Sequence, residues 1–423
     1  MRWARWKSRS GQLVNWLIGQ WVNGCLRGAR ARWSGWRIAE ARRLVWLAAL
    51  IWAACTSTPT PPDAHTPTPL PRRYPLPQLA SPEYGIQAFL WWHVDNKDGA
   101  RDADLVRDLG FGWLKQQFSW RNISNGEGGY DWFRADGVLA LAEARGLRVL
   151  ARLDGTPLWA AADVEAVMAG HEGRPRDPAL FAEFCGTLAA RYAGRIAAYE
   201  VWNEPNLARE WGDNPPDPAA YVELLRQCYQ AIKAADPAAI VISAGLAPTD
   251  LDDPAVSMPD AAFFEAMYAA RAAPYFDMLG VHAPGYGSPP ERSPDDALRD
   301  EFWQSRVWVF RHVEDIRALM AAHGDGDKQI AITEMGWTSD QVNPAYSWYA
   351  VDEATRADYL VRAYQYARDN WSPWIGLMSM VYIADPEWTE ANEQYWWAIT
   401  RPTAPGDPAV RLPAYDALQA MEK

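Results

Sequence analysis

From Ser81 onward the apolar positions alternate between two spacings. Short runs such as "YGIQAFLWW" (Tyr84–Trp92), "FGWLKQQFSW" (Phe111–Trp120), "LRVLARL" (Leu147–Leu153) and the approach Ile196–Trp202 read as strands apolar enough to be buried on both faces. Helical stretches separate them. "ARDADLVRDLG" closes at Gly110, "YDWFRADGVLALAEARG" ends at Gly146, and "DPALFAEFCGTLAARYAGR" follows the third strand. In "DPAAYVELLRQCYQAIKAADP" Asp217 stands as the cap and Pro218 in the first turn. The cycle continues through "AIVISAGL", "FDMLGVHA", "QIAITEMGW" and "IGLMSMVYIAD", each with its helix, the last being "PAYDALQAM". Eight strands each followed by a helix predict an α/β fold of the (β/α)8 TIM-barrel type over residues 81–423. An open doubly wound sheet is the alternative, but no glycine-rich phosphate fingerprint follows the first strand.

Upstream the pattern breaks. The apolar run Leu44–Ala54 is short for a membrane span but fits the central region of an export signal, with Arg42 and Arg43 as its positive flank. Ala53 and Ala54 precede Cys55, which resembles a bacterial lipoprotein cleavage site. An uncleaved signal anchor is the alternative, and a start codon nearer Leu26 would remove most of the Trp- and Arg-rich leader. The Thr/Pro tract that follows has no apolar period and reads as an extended spacer. The expected regions are thus a leader and signal at 1–55, a linker at 56–80 and a catalytic-sized domain at 81–423. They imply a monomer that is exported and held at the outer face of the membrane or released. Ten Lys and Arg against Glu40 alone give the first 43 residues a charge of +9, so the rest of the chain must sum to −21 for the total of −12. So acidic a body excludes nucleic acid as a partner. Cys185 and Cys228 fall on apolar helical stretches and are expected as buried free thiols, with a disulfide between neighbouring helices as the alternative. No metal-ligand spacing is present, and no cofactor is expected.

Barrel chemistry sits where strands end at the C-terminal face. In "YEVWNEPNL" (Tyr199–Leu207) a buried strand runs straight into Asn203, Glu204 and Asn206. The seventh strand delivers Glu334 before Gly336 and Trp337, the sixth His282 with Tyr286 beyond, and the eighth Tyr382 with Trp388 in its loop. Asp154 and His93 end the third and first strands and are weaker candidates. Two glutamates on one rim among aromatics suit glycosidic cleavage. One carboxyl group must hold a proton for the leaving oxygen while the other stays ionised.

"WNEPN" and "ITEMGW" resemble the acid/base and nucleophile strands of clan A retaining glycoside hydrolases. The likeness is to the family 39 xylosidases and their endo-acting relatives, then to the family 5 cellulases, and spans Tyr84 to about Met421. It implies a covalent double displacement with Glu204 as general acid and base and Glu334 as nucleophile. It further implies Asn203 on the sugar 2-hydroxyl, and Trp159, Trp337 and Trp388 stacking on sugar faces. His282 matches a clan histidine, but Tyr286 follows four residues on, where the clan has a tyrosine at two, which unsettles its usual bond to the nucleophile. Lys115 stands where many members have an arginine, keeping the charge without the bidentate fork.

The sequence leaves two rival readings. A non-catalytic sugar-binding lipoprotein would not require both glutamates. A metal-dependent hydrolase would need His and Asp clusters on several strand ends, and the whole chain has only six His. A transglycosylase shares the same covalent step, and the sugar itself is not written in the motifs.

Overall fold

The computed structural model of the protein describes residues 76–423. The leader, the apolar stretch, Cys55 and most of the Thr/Pro tract lie outside these residues. Among the described residues no helix is long and apolar enough to cross a membrane.

Eight parallel strands are present: β1 (Glu83–Gln87), β2 (Trp113–Ser119), β3 (Arg148–Asp154), β4 (Ala198–Val201), β5 (Ile240–Ser243), β6 (Leu279–Pro284), β7 (Ile330–Gly336) and β8 (Ile375–Met380). They pair in the order β5-β4-β3-β2-β1-β8-β7-β6. The seam between β5 and β6 is thin, held by the Ile242–Met278 bridge and by Asp277, whose carboxylate accepts from the Val241 amide at 2.8 Å. Helices α1 (Lys97–Asp108), α2 (Phe133–Glu143), α3 (Pro178–Arg191), α4 (Pro218–Ala235), α5 (Asp260–Ala269), α6 (Val313–Ala322), α7 (Glu353–Asn370) and α8 (Pro413–Ala420) follow the strands in turn. The expected alternation is thus a nearly closed (β/α)8 barrel. Asp217 caps α4 through the Ala220 amide, with Pro218 in the first turn.

The strand period of two sorts side chains into two cores. Outward residues such as Leu114, Val149, Leu153, Tyr199 and Val201 pack under the helices. Inward residues form layers along the barrel axis. The lower layer is apolar: Trp113, Leu150, Ala198, Ile240, Met278, Ala331 and Leu377. Two residues further up, several of these strands turn polar, with Lys115, Arg152, Glu200 and Thr333, while β5 keeps Ile242. A polar layer inside a barrel is costly unless its members satisfy one another. Here Lys115 pairs with Glu200 at 3.0 Å and Arg152 with Asp154 at 2.8 Å, while the Thr333 hydroxyl has no hydrogen-bond partner among the described residues; the layer lies directly under the candidate site.

Two expectations are corrected by packing. Leu79, assigned to the spacer, packs against the lower barrel core, and its amide donates to Gln329 Oε1 at 2.8 Å; the fold therefore begins before Ser81. Cys185 and Cys228 are not free thiols. They form a disulfide between α3 and α4, with Cα atoms 5.6 Å apart.

Candidate active site

β4 ends by leaving the extended region abruptly. Trp202 and Glu204 have φ of 76° and 41°, the left-handed region that costs non-glycine residues of order 1 kcal/mol or more and gathers at functional sites. The turn is held by the Glu204 amide, which donates to the Gly245 carbonyl at 3.0 Å. It aims the Glu204 carboxylate at His282, whose Nδ1 lies 2.9 Å from Oε1. Gly245 is needed there, because a Cβ would lie 2.2 Å from His282 Cδ2. Between β6 and β7 the register steps from Val281–Ile332 to His282–Glu334. Thr333 is the extra residue of this bulge, a device that re-aims side chains at a rim. Glu204, His282, Glu334 and Tyr382 consequently line one pocket of about 130 Å³, with Pro248, Trp397 and Glu393 completing the wall.

Glu334 is surrounded by cations. Lys115 Nζ lies 3.1 Å from its Oε1 and donates also to the Thr333 carbonyl at 3.0 Å. Arg152 Nη1 lies 3.4 Å from the same oxygen. Burial pushes this carboxyl up, but Lys115, His282 and Arg152 outweigh it and hold it down at about 2. Lys115 is itself buried and balanced from below by Glu200, at 3.0 Å. Arg152 is fixed by Asp154 at 2.8 Å and donates to Asn203 Oδ1 at 3.3 Å. Asp154 thereby orients a cation.

Glu204 has one close partner. Burial pushes its carboxyl up, yet the His282 hydrogen bond and charge, with Arg209 beyond, bring it below the usual range. For His282 burial works downward, while Glu334 and Glu204 raise it. Between the two, the proton is favoured on the imidazole. Arg209 Nη2 stands 3.6 Å from Glu204 Oε2. A third carboxyl, Glu393, accepts from the Tyr346 hydroxyl at 2.5 Å, and burial raises it. The Val381–Tyr382 peptide is cis.

The remaining candidates separate. Lys115, Asn203, His282 and Tyr382 gather around the two glutamates. Tyr286 stands behind the pocket wall, donating from its hydroxyl to the Pro248 carbonyl at 3.1 Å; Pro284 occupies the position two after His282. Trp337 is corrected: it is wholly buried, with its Nε1–H on the Ser288 carbonyl at 2.9 Å, and presents no face to a ligand. Trp159 is half-buried and donates to Ser124 Oγ. Trp388 packs on Phe89 and Tyr382 at the edge of the pocket. His93 lies 3.9 Å from Asp385, apart from the glutamates. Arg152, Arg209, Tyr346 and Glu393 were missed. None of them carried a signal in the sequence: Arg152 reads as a polar residue within an ordinary strand, and the other three lie beyond strand ends. Among the described residues no cluster suits a metal ion.

No protein-family model and no curated protein matches this chain by sequence. Solved structures do match by shape. A family 39 glycoside hydrolase from Bacteroides cellulosilyticus aligns with a TM-score of 0.56 at 18% identity, covering 82% of this chain and 65% of that one. A monomeric beta-xylosidase from Caulobacter crescentus aligns at 0.56 and 20% identity, covering 81% of this chain and 69% of its own. A family 5 subfamily 18 enzyme from Streptomyces cattleya, solved with GlcNAc, aligns at 0.57 and 18%, covering 81% and 79%. The fold is thus that of the clan A barrels that the strand-end motifs resembled, and the chain spans just under two thirds of the Bacteroides enzyme.

Proposed function

Starting from that barrel, we propose that the protein is a retaining glycoside hydrolase. The observation that carries this is the pair of glutamates at the ends of β4 and β7, sharing one pocket with different partners: fixed cations Lys115 and Arg152 beside Glu334, and the titratable imidazole of His282 beside Glu204. Glu334, kept ionised, attacks the anomeric carbon. As the C–O bond to the leaving group breaks, the proton held between His282 and Glu204 passes through Glu204 to the departing oxygen. The pair is then deprotonated and serves as base. It takes a proton from water, which attacks the same carbon and releases Glu334. Asn203, tethered by Arg152, is placed to bind a sugar hydroxyl next to the scissile bond.

The neighbours named for xylosides make β-xylosides and β-glucosides the first substrates to try. Incubation with a 2-deoxy-2-fluoro glycoside should add one glycosyl unit to the protein by mass spectrometry, mapped to Glu334 by peptide analysis. NMR of a natural substrate should show the first-formed product with its anomeric configuration retained. Inversion, or label on another residue, would refute the assignment. Export is part of the proposal, and the buried disulfide supports it, since such bonds persist in oxidising compartments. N-terminal mass spectrometry of the native protein tests whether it begins at a lipidated Cys55.

A further inference from the structure

Several connections on the C-terminal rim are long for a compact domain, among them residues 285–309 after β6 and 337–352 after β7. Loops beyond roughly 12–15 residues with little regular structure tend to carry function. In these two the large apolar side chains are mostly aromatic, and they gather in one place. Trp348 is 46% and Phe302 66% exposed, with ring centroids 6.0 Å apart. Trp303 and Trp308 flank Trp348 at 5.5 and 5.9 Å, and Tyr349 meets it edge-on at 4.8 Å. The Trp348 Nε1–H donates to the Ala345 carbonyl at 2.9 Å. The ring is therefore set before any ligand arrives, which lowers the entropy lost on binding.

The cluster is continuous with the pocket. Tyr286 contacts Trp308 at 4.7 Å and Tyr349 at 5.3 Å, and its hydroxyl holds Pro248 in the pocket wall. At about 130 Å³ that pocket falls well below the roughly 300–1,000 Å³ of sites that enclose a whole ligand. A longer substrate has to continue outside it.

We propose that these rings are a binding shelf for the continuation of a neutral glycan beyond the pocket, so that the preferred substrate is a polymer or long oligosaccharide. The proposal rests on the glycosidase reading above. A sugar ring offers an apolar C–H face to a flat aromatic while its hydroxyls stay in water, and rigid aromatics supply that area. The charges of the same loop, Glu291, Asp295, Asp296, Asp300 and Glu301 against Arg292, Arg299 and Arg306, are largely paired with one another and leave a small negative excess, which gives an anionic lipid surface nothing to hold.

The test is the double variant Trp348→Ala, Phe302→Ala. Its hydrolysis of 4-nitrophenyl β-xyloside and β-glucoside should match the parent within about twofold. Its kcat/KM on xylohexaose or cellohexaose should fall at least about tenfold, chiefly through KM. Retardation in native gels containing arabinoxylan or mixed-linkage β-glucan should be lost. Equal kinetics on the hexaoses with equal retardation overturns the shelf. Should the parent hydrolyse none of these glycosides, the catalytic reading fails separately and the gels alone decide: retardation lost in the variant supports the shelf, and retardation absent or unchanged overturns it. Loss in the variant of binding to phosphatidylglycerol vesicles, or of a dimer in sedimentation, also overturns it, by assigning the rings to a membrane or a second copy.

Discussion

The two carboxyl groups of the pocket come from strands of the same barrel, yet their supports differ in depth. Glu334 stands on a column of charge. Lys115 and Arg152 touch it, Glu200 and Asp154 hold those cations, and the whole stack fills the upper interior of the barrel. Glu204 sits on a strained turn with one imidazole beside it. The first arrangement fixes a charge and keeps it. The second holds a proton that two groups can exchange. Both carboxyl groups are thus held below the usual range, one by fixed cations and the other by an imidazole that titrates.

The largest effect should come from breaking the fixed side. Glu334→Gln should lower kcat/KM at least about 10⁴-fold on every glycoside, because no covalent intermediate can form. Activated fluorides should not rescue it. Glu204→Gln should cost about 10²–10⁴-fold on natural sugars and far less on aryl glycosides with good leaving groups. Azide should restore turnover to Glu204→Ala with retained configuration, and to Glu334→Ala with inverted configuration, measured by product NMR. Matching configurations would exchange or void the roles.

The next comparison dissects the column. Lys115→Met leaves Glu200 buried without its partner and should destabilise the fold by about 3–5 kcal/mol. Adding Glu200→Gln should restore much of the melting temperature but not the activity, since Glu334 still lacks the nearer of its two cations. Full recovery of both would show the column to be structural only. The smallest effect concerns pH. The Glu334 carboxyl is depressed from 4.5 to about 2, so the stability it contributes is present above about pH 4.5 and is lost as pH falls through about 2. The melting temperatures of the parent and Glu334→Gln should therefore converge over that window. On the other side, His282→Asn should move the alkaline limb of kcat/KM to lower pH, because the raised imidazole no longer holds the last proton.

Strand and helix order was legible in the residues because two periods alternate without interruption, and Glu204 and Glu334 were legible because a carboxylate after a buried strand is anomalous. Arg152 was not. In "LRVLARL" it looks like one polar residue in an ordinary strand, and only closure of the barrel turns that position toward Glu334. Trp337 misled for the converse reason, since a tryptophan just past a strand end can face the cleft or fill the space behind it. The Gly285 turn brings the chain against its ring, which decides for the second. The shelf has no period at all, its rings being scattered over two loops that only the fold brings together. The cysteine pair needed the packing of α3 on α4, a tertiary fact.

That cysteine pair also sets how the protein has to be made. Its crosslink spans 43 residues of sequence, and a loop of that size is worth about 4 kcal/mol by restricting the unfolded chain. Both sulfurs are fully buried, so a reductant reaches them only when α3 and α4 separate. Material produced in a reducing cytoplasm should start without the crosslink and lose heat tolerance, while material from an oxidising compartment should keep it through purification in mild thiol.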